Sequence, residues 1–118
     1  MDAIAALPGA IAQAQLEAYN HRDLDAFCAL FAPDAEIFEL GASTPSSSGI
    51  DAIRTRYAEL FAQSPALHST VLTRTVLGRV VVDLERISGR LGSPVPIDML
   101  AIYEIIDSRI RRVHFVRP

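Results

Sequence analysis

The spacing of apolar positions changes once along the chain, near Leu67, and divides the sequence into a helical half and a strand-like half. Before that point Ile11, Ala14, Gln15, Ala18 and Tyr19 recur at helical spacing as far as His21-Arg22, which predicts a first helix starting near Leu7. Asp23 is suited to cap a second helix in which Leu24, Phe27, Cys28 and Phe31 form one stripe, ended by Pro33-Asp34. Ala35 to Leu40 reads as a short strand. Gly49-Ile50-Asp51 opens a third helix with Ile50, Ile53, Tyr57, Leu60 and Phe61 inward, and Ser64-Pro65 closes it. Beyond Leu67 the period is two and β-branched residues dominate. Ser69 to Leu77 and Val80 to Gly89 form a hairpin about Gly78-Arg79, and Val95 to Ile106 pairs with Arg109 to Val116 across Asp107-Ser108. Three helices followed by an antiparallel meander predict an α+β fold, a cone-shaped curved sheet wrapped around the N-terminal helices with a hollow at its open end.

At 118 residues, half of them hydrophobic, the chain suits one domain spanning residues 1–118. A formal charge of −3, with arginines scattered among acids, leaves no electrostatic footprint for a nucleic-acid partner. The start Met1-Asp2-Ala3-Ile4 lacks a basic region and the apolar stretch breaks at Pro8-Gly9. Neither a signal peptide nor a membrane span is therefore expected, and the chain reads as cytoplasmic. Cys28, the one cysteine, falls on a helical apolar stripe as a small buried hydrophobe. The Ser-rich run from Gly41 to Gly49 reads as an exposed mobile loop, and its place directly after Glu39 makes it a candidate lid.

Two acids change this picture. Asp98 sits in the apolar run Pro96-Ile97-Asp98-Met99-Leu100, and Glu39 stands between Phe38 and Leu40. A carboxylate in such surroundings is paired, hydrated in a cavity, or kept protonated, and two acids with raised pKa values suit proton transfer. A plainer alternative stands beside each: Asp98 bridging to an arginine such as Arg112 across the sheet, and Glu39 solvated at a strand end. If Asp98 faces the hollow, the period of two puts Leu100 and Ile102 on its wall and turns Met99, Ala101 and Tyr103 outward. Asp83 and Glu85 share one face of their strand, expected to be the solvated one, with Arg74 opposite. His21, His68 and His114 have no metal-ligand spacing, and no Gly-rich phosphate loop or nucleophile motif occurs, so neither metal nor cofactor is expected.

The stretch Asn20-His21-Arg22-Asp23-Leu24-Asp25-Ala26, then Leu30-Phe31-Ala32-Pro33-Asp34-Ala35-Glu36, then Gly49 with Ile53, Arg54 and Tyr57, and finally Pro96-Ile97-Asp98, resembles the nuclear-transport-factor-2-like superfamily in its ketosteroid isomerase and SnoaL-like branch. The resemblance implies a general base at Glu39 and a neutral, hydrogen-bond-donating acid at Asp98. The family's tyrosine donor on the first helix falls on Gln15, a departure, and its supporting tyrosine is matched by Tyr57. It also implies a substrate cavity walled by Ile37, Leu100 and Ile102, and a homodimer formed sheet to sheet. Three functions are open on this reading: isomerisation of a small apolar substrate by proton transfer next to a carbonyl, non-catalytic binding of a small hydrophobic ligand, and a hydrolytic or cyclising reaction started by an acid.

Overall fold

The computed structural model describes residues 7–118; the reading of Met1 to Ile4 lies outside them. Helix α1 (Pro8–Asn20) begins with proline in its first turn, where the missing N–H costs nothing. Its C-terminal end is tied to the sheet by Asn20, whose side-chain amide donates to Ser69 O (3.0 Å) and accepts from Ser69 N–H (2.7 Å). Helix α2 (Leu24–Ala29) is capped by Asp23, whose carboxylate accepts from Ala26 N–H at 3.1 Å. Strand β1 (Phe31–Glu39) follows, then the two-residue β2 (Ser47–Ser48), helix α3 (Ile50–Ala62), β3 (His68–Leu77), β4 (Val80–Ser88), a single 3₁₀ turn (Arg90–Gly92), β5 (Ile97–Ile106) and β6 (Arg109–Val116).

The six strands form one sheet in the order β2-β1-β6-β5-β4-β3. All neighbours are antiparallel except β1 and β6, which run parallel, so the sheet is mixed rather than wholly antiparallel. A parallel pair needs a long crossover, and the whole stretch from β2 to β5 supplies it. Strand β1 also starts four residues earlier than expected, taking Phe31 from the helical stripe. Pro33 and Asp34 are tolerated within it because the ladder to β6 breaks between Phe31 and Glu36. The Ser-rich stretch is partly tied down: Ser46 N–H donates to Ile37 O (2.7 Å), Gly49 N–H donates to Ala35 O (2.8 Å), and Ser47 is buried.

The helices cover one face of the sheet. Their contact is an aromatic cluster in which the Phe27 ring lies 4.4 Å from Tyr57, 5.1 Å from Phe31 and 5.7 Å from Phe61. Cys28 is buried there, as its stripe predicts. On the sheet side the inward residues are Val81, Asp83, Glu85 and Ile87 of β4, Met99, Ala101, Tyr103 and Ile105 of β5, and Ile110, Val113 and Phe115 of β6. The register pairs Glu85 with Met99 and Asp83 with Ala101, so both acids of β4 face the helices, not solvent. Asp98, Leu100 and Ile102 occupy the opposite, outer face. The expected parity of β5 is thus inverted, because the set Met99, Ala101, Tyr103, Ile105 carries no charge while the other set carries Asp98 and Glu104. No helix among the described residues is long and apolar enough to cross a membrane.

Candidate active site

Between α1, α3 and the inner face of the sheet lies a pocket that encloses about 40 Å³ and opens to solvent at its mouth. Gln15 and Tyr19 of α1, Tyr57 of α3, and Glu85, Met99 and Tyr103 of the sheet line its depth, and Arg56, Arg90 and Arg117 are the charged residues of its wall. The mixture of apolar wall and a few convergent polar groups is that of a small-molecule site.

Glu85 is the centre of its chemistry. Its side chain is buried, with the residue only 7% exposed; Oε1 accepts from the Ser69 hydroxyl at 2.7 Å and Oε2 from the Tyr103 hydroxyl at 3.2 Å. Burial raises its pKa above the usual carboxylate range, helped by the neighbouring Asp83 and opposed by these two hydrogen bonds. The Tyr103 oxygen also lies 3.3 Å from Gln15 Oε1. One hydroxyl proton cannot serve two acceptors fully, so the direction of this chain follows the protonation of Glu85. Ionised Glu85 accepts from Tyr103. Protonated Glu85 donates to Tyr103, which then donates to Gln15.

Three elements hold these groups in place. The Asn20 clamp on the Ser69 backbone fixes the hydroxyl that reaches Glu85. The β4–β5 register sets Glu85 and Tyr103 on the same face, two steps apart along the sheet. Beside them Asp83, 1% exposed, is held by Arg74 through both oxygens (2.7 and 2.9 Å), and Arg74 in turn donates to Gln13. That pair matches the expected partner across the hairpin, although the face is the buried one. Tyr57 and Tyr19 complete the pocket. Burial pushes both phenols to higher pKa, and among the described residues neither hydroxyl has a protein hydrogen-bond partner, which leaves them for a ligand.

The residues singled out from sequence divide between this pocket and places outside it. Gln15 and Tyr57 line it. Ile37 is on the inner face but fully buried in the core, away from the pocket lining. Glu39 ends β1 beside Phe115 and is clamped by Arg117 (2.7 and 3.3 Å), its side chain 41% exposed; it reaches the pocket only through that arginine. Asp98 faces out, 45% exposed, with Arg86 donating to both its oxygens (2.8 and 3.1 Å). The Arg86 guanidinium holds its carboxyl below the usual range, the opposite of a cavity acid. Its partner is Arg86, not Arg112, because the register sets Arg86 opposite Asp98 and Arg112 opposite Glu104. Leu100 and Ile102 share its outer face and are not among the residues lining this pocket. His114 is on the same side, stacked on Phe38 at 4.9 Å.

Glu85 is the buried acid that lines this pocket, with Tyr103 beside it, where the sequence reading expected Glu39 and Asp98. The signal was present: an acid at alternating positions with Val81 and Ile87 on one strand face is as anomalous as Asp98 beside Met99.

With the geometry established, comparison with known proteins gives a consistent answer. Residues 12–113 match the SnoaL-like domain. The chain belongs to the SnoaL-like domain family. Two solved structures are similar to this SnoaL-like chain at 26% identity. One is an uncharacterized cystatin-fold protein from Novosphingobium aromaticivorans, with a TM-score of 0.86 over 95% of this chain and 99% of that one. The other is a candidate polyketide cyclase from Sinorhizobium meliloti, with a TM-score of 0.76 over 90% and 93%. A candidate ketosteroid isomerase from Kribbella flavida shares the fold at 19% identity, with a TM-score of 0.80 over 94% and 77%. No match is found among curated proteins. The SnoaL-like assignment supports the fold expected from the sequence motifs; the residues that act are read from the pocket.

Proposed function

We propose that this SnoaL-like protein is a cofactor-independent acid–base catalyst that moves a proton next to a carbonyl of a small, largely apolar substrate, with Glu85 as the base. The observation that carries this reading is a buried carboxylate with raised pKa opening into a pocket beside a phenol, Tyr57, that has no protein partner. Such a carboxylate is a stronger base than a solvated one, and a nearby neutral donor is suited to a developing oxyanion. In the proposed cycle the Glu85 carboxylate takes a proton from the carbon beside the carbonyl. The C–H electron pair passes into the enolate, whose oxygen accepts from Tyr57 and the Gln15 amide. Protonated Glu85 then returns the proton at a second carbon, so the double bond moves and no atom is gained or lost. Ser69 and Tyr103 hold the carboxylate in place throughout. Similarity to a candidate polyketide cyclase supports the same first step, since ring closure onto a second carbonyl also starts from an enolate.

A second reading, non-catalytic binding, is favoured by one observation: both Glu85 oxygens already have protein donors, as in a purely structural acid. The reading of the chain as a homodimer rests on the outer sheet face, where Val82, Leu84, Leu100, Ile102 and Val116 form a half-buried apolar patch.

The test is deuterium incorporation beside the carbonyl of a cyclic ketone whose double bond is out of conjugation, followed by nuclear magnetic resonance, with the rise in ultraviolet absorbance as a second readout. Glu85→Gln should lower the rate by about a hundredfold or more, and the parent rate should fall as pH drops through the raised pKa of Glu85. Unchanged exchange in Glu85→Gln would overturn the assignment. Binding of the ketone with no exchange in parent or variant would favour the second reading.

A further inference from the structure

Resting on the reading of this pocket as a ligand site, the charges of its wall narrow what that ligand is. All eleven basic residues of the chain are arginine, and among the described residues seven are ion-paired with a carboxylate. The other four differ in what surrounds them. Arg22 donates to the Asn20 and Leu67 carbonyls, and Arg109 is exposed to solvent. Arg56 and Arg90 are half-buried, both line the pocket, and neither has a carboxylate partner among the described residues.

Both sit in defined surroundings. Arg56 donates to the hydroxyls of Ser46 and Ser47 (3.1 and 3.3 Å), neutral partners that fix its position and leave its charge uncompensated. It lies 5.7 Å from the Tyr57 ring centre and 5.8 Å from that of Phe115. Arg90 is carried by the turn after β4, which is fixed at both ends. Leu91 N–H donates to the fully buried Ser64 hydroxyl at 2.8 Å, and Gly89, with φ of +72°, passes so close to Ala66 that a β-carbon there would lie 2.3 Å from its carbonyl oxygen. Arg117, the third cation of the wall, is already neutralised by Glu39. The pocket therefore presents two positive charges with no ion-pair partner among the described residues, Arg56 held by two hydroxyls and Arg90 carried on an anchored turn, beside an apolar wall and an unpartnered phenol. Planar guanidinium forks in such a place recognise planar oxyanions.

We propose that the pocket takes a small organic carboxylate, its anionic group held by Arg56 and Arg90, its apolar body against Phe115 and Ile87, and its oxygenated end at Tyr57. A carboxylate suits the site better than a phosphate because a single charge costs less to bring into a half-buried cleft than a double one.

The test is calorimetric titration of the full chain with matched pairs that share an aromatic body, 2-naphthoate against 2-naphthamide and cinnamate against cinnamamide. The acids should bind about ten- to a hundredfold more tightly than the amides, the range expected for charge-assisted hydrogen bonds. Arg56→Gln and Arg90→Gln should each shrink that ratio with the circular dichroism spectrum unchanged, and Arg109→Gln should leave the ratio as it is. Equal binding of acid and amide, a ratio that neither variant moves, or no binding of any acid at millimolar concentration would each overturn the proposal. An acid preference that depends on both arginines, with no deuterium exchange in any compound, would sustain the carboxylate site and remove only the catalytic role of Glu85. Exchange that needs Glu85, with no acid preference, would do the reverse.

Discussion

Replacing Glu85 with glutamine keeps the length of the side chain and removes its charge, so the substitution isolates what the buried carboxylate costs the fold. Ionised Glu85 has two neutral hydroxyl donors, from Ser69 and Tyr103, while Arg74 nearby is taken by both oxygens of Asp83. Burial consequently outweighs its partners and raises its pKa. A carboxyl that binds its proton more tightly folded than unfolded contributes stability that is fully present below the ordinary carboxylate range and is lost as pH rises through the raised value. Glutamine carries no such loss. Its oxygen can accept from Ser69 and its amide can donate to Tyr103, which then donates to Gln15, the same chain that protonated Glu85 makes. Each tenfold difference in proton binding is worth about 1.4 kcal/mol. An incompletely compensated buried polar group costs about 1–3 kcal/mol. Glu85→Gln should therefore exceed the parent in stability by about 1–3 kcal/mol near pH 8 and converge with it near pH 4. Urea denaturation followed by far-ultraviolet circular dichroism across that range measures the difference. A variant less stable than the parent at the alkaline end, or a difference that does not close on acidification, would refute the reasoning.

Asp98→Asn should leave both thermal midpoint and deuterium exchange at parental values, since it breaks only an exposed pair with Arg86; loss of exchange would return Asp98 to the site. Gly89→Ala should destabilise the protein by about 1–3 kcal/mol, because the added carbon meets the Ala66 carbonyl at a backbone angle that disfavours it; a urea midpoint equal to the parent's would contradict this. On the dimer reading, the parent should sediment as a dimer at micromolar concentration and Ile102→Arg, on the outer sheet face, should sediment as a monomer; a monomeric parent would end that reading.

Elements were legible from sequence where the apolar period was strong. Helix α3, the two hairpins and the Asp23 cap follow from spacing and turn residues alone. The parallel β1–β6 pair was not, since nothing local records which distant strand completes an edge. The placement of Asp98 failed on parity. In β5 both faces are rich in apolar residues, and choosing the face that holds Asp98 moved every side chain to the wrong side. In β4 the hydrophobic pattern itself misleads, for Val82 and Leu84 look like core and Asp83 and Glu85 look like surface, yet the acids face in. The core accepts them because Arg74, expected from the hairpin, meets Asp83, while Ser69 and Tyr103 meet Glu85 from β3 and β5, partners that only the folded register brings together. Local pattern is expected to fail at a functional site for this reason: burial of a polar group there is sustained by tertiary contacts that its own strand does not encode. Gln15 and Tyr57, which the family resemblance singled out, do line the pocket, because each lies on the single apolar stripe of its helix and the stripe leaves no choice of face.

The three tyrosines of this chain, Tyr19, Tyr57 and Tyr103, all line the pocket, and the chain has no tryptophan. Its tyrosine fluorescence therefore originates entirely at the site, with no tyrosine elsewhere in the fold to dilute it. Tyr103 donates to Glu85, and a carboxylate that accepts a phenol's proton quenches the phenol's emission, so the brightness of the unlabelled protein should track the ionisation of Glu85 as pH is varied. The same emission would report the arrival of a ligand at Tyr57, making the native sequence its own optical sensor of occupancy.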